Sequence, residues 1–241
     1  MRVCVLGHLG MLGSMVFKYL SSTFDCQVET VDFRWPSIEF KKHLAEFSGD
    51  TIVNCIGAVP QRTNNFDVNF ELPIWIDQNV VCKVVHAGTD YESDEDLYGE
   101  SKRKVTQYLR DYGQRTKSIK CSIIGPELAS KQGLLEWFLS SESDVHGYTH
   151  QMWNGITTLQ WAKICWNLIK DYQVFEDVTI PYTDCISKFT LLIIIKEVYG
   201  KDLTILMNNK VKGDNCLEGN LPTPTIKEQL EELKGAHYDR D

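Results

Sequence analysis

VLGHLGMLGS, residues 5–14, is the stretch whose reading decides the fold. Gly7, Gly10 and Gly13 stand three apart, directly after the apolar run RVCVL (2–6) and at the head of an amphipathic pattern over 11–22. A strand, a glycine turn and a helix in that order form the geometry that holds a dinucleotide pyrophosphate. Glycine lets the backbone turn tightly and approach the phosphates without an intervening Cβ. The helix start then offers open N–H groups and the positive end of its dipole. The spacing is GxxGxxG rather than GxGxxG, and glycines needed only for turn geometry would look the same. Asp32, closing the expected second strand QVETVD (27–32), adds weight, because an acid there can bind the adenine ribose hydroxyls. Arg34, two residues on, could instead accept a 2′-phosphate, so NADH and NADPH both stay open.

Outward from the turn, short β-branched runs alternate with helical patterns. Strands are expected at 2–7, 27–32, 51–58, 80–88 and 118–125, and helices at 11–22, 38–47, up to 79 and at 100–113. Unbroken Val/Ile/Cys strands in this rhythm predict an α/β protein, a Rossmann-type doubly wound parallel sheet covered on both faces. The dinucleotide domain is expected over 1–124 plus 155–183, with a small substrate-binding lobe over 125–154 and 184–241. SDVHGYTHQMWNG (143–155) reads as a loop, a helix is expected at 157–172 in the dinucleotide domain, and helices are expected at 187–200 and 226–235 in the lobe.

The net charge of −8 argues against binding nucleic acid or an anionic membrane surface. The most apolar segment, FTLLIII (189–195), falls short of the ~20 residues of a membrane span. The eight cysteines form no CxxC and several lie in apolar runs, a pattern expected of reduced, buried thiols in a cytoplasmic protein.

DLYGESK places Tyr98 and Lys102 four apart at a helix start, on one face. A phenol near its reference pKa of ~10 exchanges protons poorly at neutral pH. A neighbouring ammonium favours the phenolate and makes the tyrosine a usable general acid/base. Thr89, at the end of VVCKVVHAG, faces the crevice where open α/β sheets bind ligands, and could hydrogen-bond a substrate carbonyl. In HGYTHQMWNG (146–155), Trp153 and Asn154 are candidate substrate contacts, since aromatic faces stack on sugars and amides bind hydroxyls. His146 and His150 lack a third ligand at suitable spacing, and no metal is expected.

Gly7-x-x-Gly10-x-x-Gly13, Thr89 and Tyr98-Gly-Glu-Ser-Lys102 together resemble the extended short-chain dehydrogenase/reductases. HAGTDYE and LYGESK are similar to the dTDP-4-dehydrorhamnose reductase branch, as are IVNCIGAV (52–59) and the VN at 68–69. The resemblance implies hydride transfer between a nicotinamide and C4 of a nucleotide-linked 4-keto-6-deoxy sugar. Tyr98 would protonate the oxygen, Lys102 would hold the nicotinamide ribose, and Thr89 would position the carbonyl. It also implies cofactor contacts from Gly7, His8, Gly10, Met11, Leu12 and Gly13, from Cys55, Ile56 and Gly57, and from Asp32 or Arg34. Asp90 and Tyr91 fall on the substrate side. Related dehydratases carry Asp-Glu after the threonine; here position 91 is tyrosine, which favours reduction. The alternatives are a sugar-nucleotide epimerase and a non-catalytic dinucleotide-binding regulatory subunit. The chain is shorter than a usual member, which leaves room for completion by a second copy in a homodimer.

Overall fold

The computed structural model describes residues 1–22, 25–93, 95–128 and 132–237. It divides into two compact units, Met1–Lys120 with Ala162–Thr179, and Cys121–Trp161 with Ile180–Asp241. The first unit opens with β1 (Arg2–Leu6), α1 (Met11–Ser21), β2 (Gln27–Thr30), α2 (Ile38–Ala45) and β3 (Thr51–Asn54). It continues through α3 (Val68–Asn79), β4 (Lys83–Ala87), α4 (Leu97–Tyr112) and β5 (Thr116–Ile119). The second unit then supplies β6 (Ile123–Ile124), α5 (Leu134–Ser140), β7 (Val145–Trp153) and β8 (Ile156–Thr157). The helix α6 (Thr158–Lys170) leads to β9 (Val178–Thr179) of the first. The remainder is β10 (Pro181–Tyr182), β11 (Ile186–Ser187), α7 (Lys188–Tyr199), β12 (Ile205–Asn215), β13 (Leu221–Pro222) and α8 (Ile226–His237).

In the first unit six strands pair in the order β2-β1-β3-β4-β5-β9, and every neighbouring pair is parallel. The central strand β1 is apolar on both faces because both of its faces are buried. Cys4 and Leu6 of β1 join Phe40 and Leu44 of α2 and Leu72 and Ile76 of α3 in one core cluster. Val3 and Val5, pointing the other way along the same strand, are equally inaccessible. This is the Rossmann-type parallel sheet expected. The chain steps from β1 to β2 on one side and then returns past β1 to β3 on the other. The order therefore reverses beside β1, and the crevice beyond the strand ends at such a switch point is where open α/β sheets bind ligands.

The second unit holds a three-stranded sheet, β11-β7-β12, in which β12 runs parallel and β11 antiparallel to β7. Two further pairs are parallel, β6 with β8 and β10 with β13. Two expectations are corrected here. The stretch 143–155 is not a loop, since Val145–Trp153 is the central strand of that sheet. Its His, Gly and Thr residues hide the period-2 pattern, and Gly147 is there because Phe189 packs so close that a Cβ would lie 2.8 Å from the Phe189 Cα. The cysteines are not all reduced, because Cys185 and Cys216 form a disulfide. Trp153 pairs with Ile186 on one side and Asn215 on the other, so the register carries the adjoining Cys185 and Cys216 to the two flanks of the end of β7. Burial of Cys4, Cys82, Cys121 and Cys165 matches the remaining expectation. The apolar run 189–195 lies within α7, and no helix among the described residues is long and apolar enough to cross a membrane.

Candidate active site

The glycine turn sits at the switch point. Gly7 adopts φ +78°, a conformation that L side chains rarely take, and a Cβ on it would come within 3.1 Å of the Cys55 carbonyl group. Gly13 is more tightly constrained, since a Cβ there would lie 2.1 Å from the Gly7 carbonyl oxygen. Gly10 closes the turn by donating its N–H to that same oxygen at 2.9 Å, and then stands as the N-cap of α1. It has no side chain to cap with, so α1 presents its first N–H groups uncapped. Met11 and Leu12 form the first helical positions, with Leu12 buried beneath the turn. A cradle without side chains, an uncapped helix start and a switch-point position fit a dinucleotide pyrophosphate.

The adenine-side candidates stand at the neighbouring strand end. Asp32 has a side chain 90% exposed, with one carboxylate oxygen 3.6 Å from Nε2 of the largely buried His8. Arg34 is exposed. Past β3, the Cys55 N–H donates to the Leu6 carbonyl at 3.1 Å, tying the 55–57 turn to the end of β1. A Cβ on Gly57 would lie 3.6 Å from Nζ of Lys102, so this turn meets the lysine as well as the glycines.

Asp96 starts α4 by accepting the Gly99 N–H at 2.7 Å, which places Tyr98 and Lys102 in the first turns of that helix. The Tyr98 ring is held edge-on by Phe66 and Tyr91, with centroids 5.6 and 6.2 Å away. The Lys102 ammonium lies 6.0 Å from the Tyr98 ring centroid, and the Thr89 hydroxyl stands close enough to the phenol to pull its pKa down. Burial raises the Tyr98 pKa above its ordinary value; the Thr89 hydroxyl opposes this, while the charges of Asp90, Asp96 and Glu92 add to it. The protein alone therefore keeps the phenol protonated rather than poised toward phenolate. Burial also pulls Lys102 down from 10.5 to about 8, against the pull of Glu92.

Asp90 is buried beside Thr89, whose hydroxyl lies 3.4 Å from its carboxylate, and the half-buried Tyr91 opens a single 3-10 turn. Trp153 and Asn154 belong to the second unit and are spent internally. Trp153 is 1% exposed, with Lys188 Nζ 5.0 Å above its ring. The Asn154 side chain exchanges two hydrogen bonds with the Leu217 backbone. Among the described residues the single group of metal-ligand type is Cys185, Asp214 and Cys216, and its two sulfurs are bonded to each other.

The structure adds residues that the motif reading passed over. Asn69, signalled only by the VN at 68–69, accepts the Ala58 N–H at 2.7 Å, donates to the Ala58 carbonyl and donates to Ser101. Ser101 in turn donates to the Tyr98 carbonyl, so one buried amide links the turn after β3 to the helix carrying Tyr98 and Lys102. Glu92 is buried, paired with Lys120 at 2.7 Å, and accepts from Thr106 at 2.7 Å. It clamps the short connection between Thr89 and Tyr98. Nothing in the acid-rich string YESDEDL distinguishes this carboxylate, because its partners lie 14 and 28 residues further along.

No protein-family model matches the chain, and no curated protein matches it in sequence. Solved structures do match its fold. The chain is similar to a dTDP-4-dehydrorhamnose reductase from Bacillus anthracis in complex with NADP, at TM-score 0.76 and 14% identity, covering 98% of this chain and 99% of that one. It is similar to the dTDP-glucose 4,6-dehydratase of the same organism in complex with NAD, at TM-score 0.74 and 13% identity, covering 100% and 98%. A UDP-glucuronic acid 4-epimerase from Bacillus cereus in complex with NAD gives TM-score 0.68 at 14% identity, covering 100% and 99%. These likenesses span nearly the whole of each chain, and what they establish for this protein is the Rossmann-type fold.

Proposed function

We propose that the protein is an NAD(P)H-dependent reductase of a nucleotide-linked 4-keto-6-deoxy sugar. The observation that carries the reading is the convergence of Thr89, Tyr98 and Lys102 next to a side-chain-free glycine cradle at the switch point. The resemblance to the dTDP-4-dehydrorhamnose reductase branch and the likeness to solved reductases support the same reading. A reduced nicotinamide supplies the hydride for C4. Gly7, Gly10, Gly13 and the first N–H groups of α1 would hold the pyrophosphate. Asp32 would bind the adenine ribose hydroxyls of NADH, or Arg34 the 2′-phosphate of NADPH. Thr89 would align the substrate carbonyl, and the protonated Tyr98 would deliver its proton to that oxygen. The Lys102 ammonium would stabilise the phenolate left behind and hold the nicotinamide ribose.

Glu92 favours reduction over dehydration. Tyr91 occupies the place of the dehydratase acid, and the next carboxylate is committed to Lys120 and Thr106 rather than aimed at a substrate. The test is turnover of NADPH and NADH across nucleotide-linked 4-keto-6-deoxy sugars, with product configuration read by NMR. Net cofactor oxidation with reduction at C4 is expected. Retained NAD with no net oxidation would make the protein an epimerase, and dinucleotide binding without turnover would make it a regulatory subunit.

The reading has a pH signature. Lys102 loses its charge as pH rises through about 8, so kcat/KM for the dinucleotide should fall on the alkaline side with an apparent pKa near that value. Its contribution to stability should move the opposite way. Between about 8 and 10.5 the unfolded chain holds the proton at Lys102 that the folded one releases, so the contribution of this one group to denaturant resistance should rise with pH. It is read as the difference between wild type and Lys102→Met, because the buried thiols of Cys4, Cys82 and Cys165, pushed up by burial, act in the opposite direction. Parallel rate and urea-unfolding profiles check both slopes.

A further inference from the structure

Behind the 55–57 turn lies a buried pair that the proposed chemistry does not use. Asn54, the last residue of β3, and His86 of β4 are neighbours in the sheet register, and both are almost wholly inaccessible. The Ile56 N–H donates to Oδ1 of Asn54 at 3.1 Å, which fixes the orientation of the amide. Its Nδ2 must therefore face Nδ1 of His86, 3.2 Å away. An amide nitrogen only donates, so Nδ1 must accept, and a neutral imidazole that accepts at Nδ1 carries its proton on Nε2. Nε2 has no hydrogen-bond partner among the described residues, so no second hydrogen bond among them pulls the tautomer the other way.

We infer that Asn54 and His86 form a neutral positioning relay, with His86 locked as the Nε2–H tautomer, that sets the 55–57 turn for the dinucleotide. The geometry shows what the relay controls. Cys55 is bonded to the end of β1, Gly7 packs against its carbonyl group, and Gly57 abuts Lys102. A protonated His86 would point Nδ1–H at the Asn54 amide N–H, donor against donor. Relief would require flipping the amide and abandoning Ile56. Two features keep the imidazole neutral, burial first and then the nearby Lys102 charge, which together push its pKa down to about 3. The turn is thereby insulated from pH throughout the neutral range.

The inference rests on the dinucleotide reading above, and its tests separate the two. In the wild-type protein labelled with 15N-histidine, His86 should give the NMR pattern of a neutral Nε2–H imidazole, unchanged from pH 8 down to pH 5. Asn54→Asp should switch that pattern, because a carboxylate that accepts from Ile56 can only accept from His86 as well, which draws the proton to Nδ1 and raises the histidine pKa. His86→Leu should weaken NADPH or NADH binding, read by fluorescence titration, by about tenfold, the value of one lost neutral hydrogen bond. A charged or Nδ1–H histidine in the wild type overturns the relay, and so does a His86→Leu protein that binds dinucleotide as tightly as the parent. Should His86→Leu not fold, the wild-type spectrum and the Asn54→Asp switch decide the case. Wild-type protein that binds neither dinucleotide overturns the dinucleotide reading and the relay's role in it, whereas the tautomer pattern still judges the hydrogen-bond geometry.

Discussion

Tyr98→Phe should lower turnover by about 10²–10⁴-fold, the usual contribution of a positioned general acid, with dinucleotide affinity nearly unchanged. The substitution removes one hydroxyl and keeps the ring, so the edge contacts with Phe66 and Tyr91 persist and the fold is not perturbed. What disappears is the proton donor that burial holds in its protonated form beside Thr89. Initial rates of NAD(P)H oxidation, paired with a fluorescence titration of the cofactor, separate lost chemistry from lost binding. Turnover that survives intact would mean that the proton comes from another group and that Tyr98 is only a packing residue.

Gly13→Ala should cost both stability and cofactor binding. The added Cβ would meet the Gly7 carbonyl oxygen at 2.1 Å and its carbonyl carbon at 2.6 Å, and backbone atoms cannot swing aside as a flexible side chain can. Either the turn opens or α1 shifts. Overpacking of this kind typically costs roughly 1–3 kcal/mol, and a distorted cradle should forfeit about 10- to 100-fold in dinucleotide affinity. Gly235→Ala is the matched control. It lies within α8 with nothing near its Cβ position, and the same change there should be neutral or stabilising. Thermal melts and cofactor titrations of the two variants should diverge. Equal behaviour would show that the glycine turn is not a close-approach cradle.

The parts of this site that were legible in the sequence share a property: their meaning is local. Gly7, Gly10 and Gly13 announce a turn because glycine itself permits it. Tyr98 and Lys102 fall on one helix face because four residues make about one turn. Their chain order after a strand-rich beginning then points to one crevice. The residues that escaped notice work through distant partners. Asn69 acts on Ala58 and Ser101, Glu92 on Thr106 and Lys120, and Asn54 on His86. Each is an ordinary polar residue until the fold delivers its partner, and burial then makes that partner obligatory.

The second unit shows the same division more sharply. HGYTHQMWNG invited a binding role for Trp153 and Asn154 because aromatic and amide groups suit sugars. The register of β7 against β11 and β12 turned this stretch into a central strand and buried both residues. It also joined Cys185 to Cys216, two cysteines that showed no pairing signal across their 31-residue separation. The amino-acid sequence by itself determined the parallel sheet, the glycine turn and the Tyr98–Lys102 helix, because periodicity and backbone preference act over a few residues. Only the tertiary structure decided which polar groups hold that machinery in place, which cysteines bond and how the phenol titrates. Those depend on desolvation and on contacts between segments that the chain order leaves far apart.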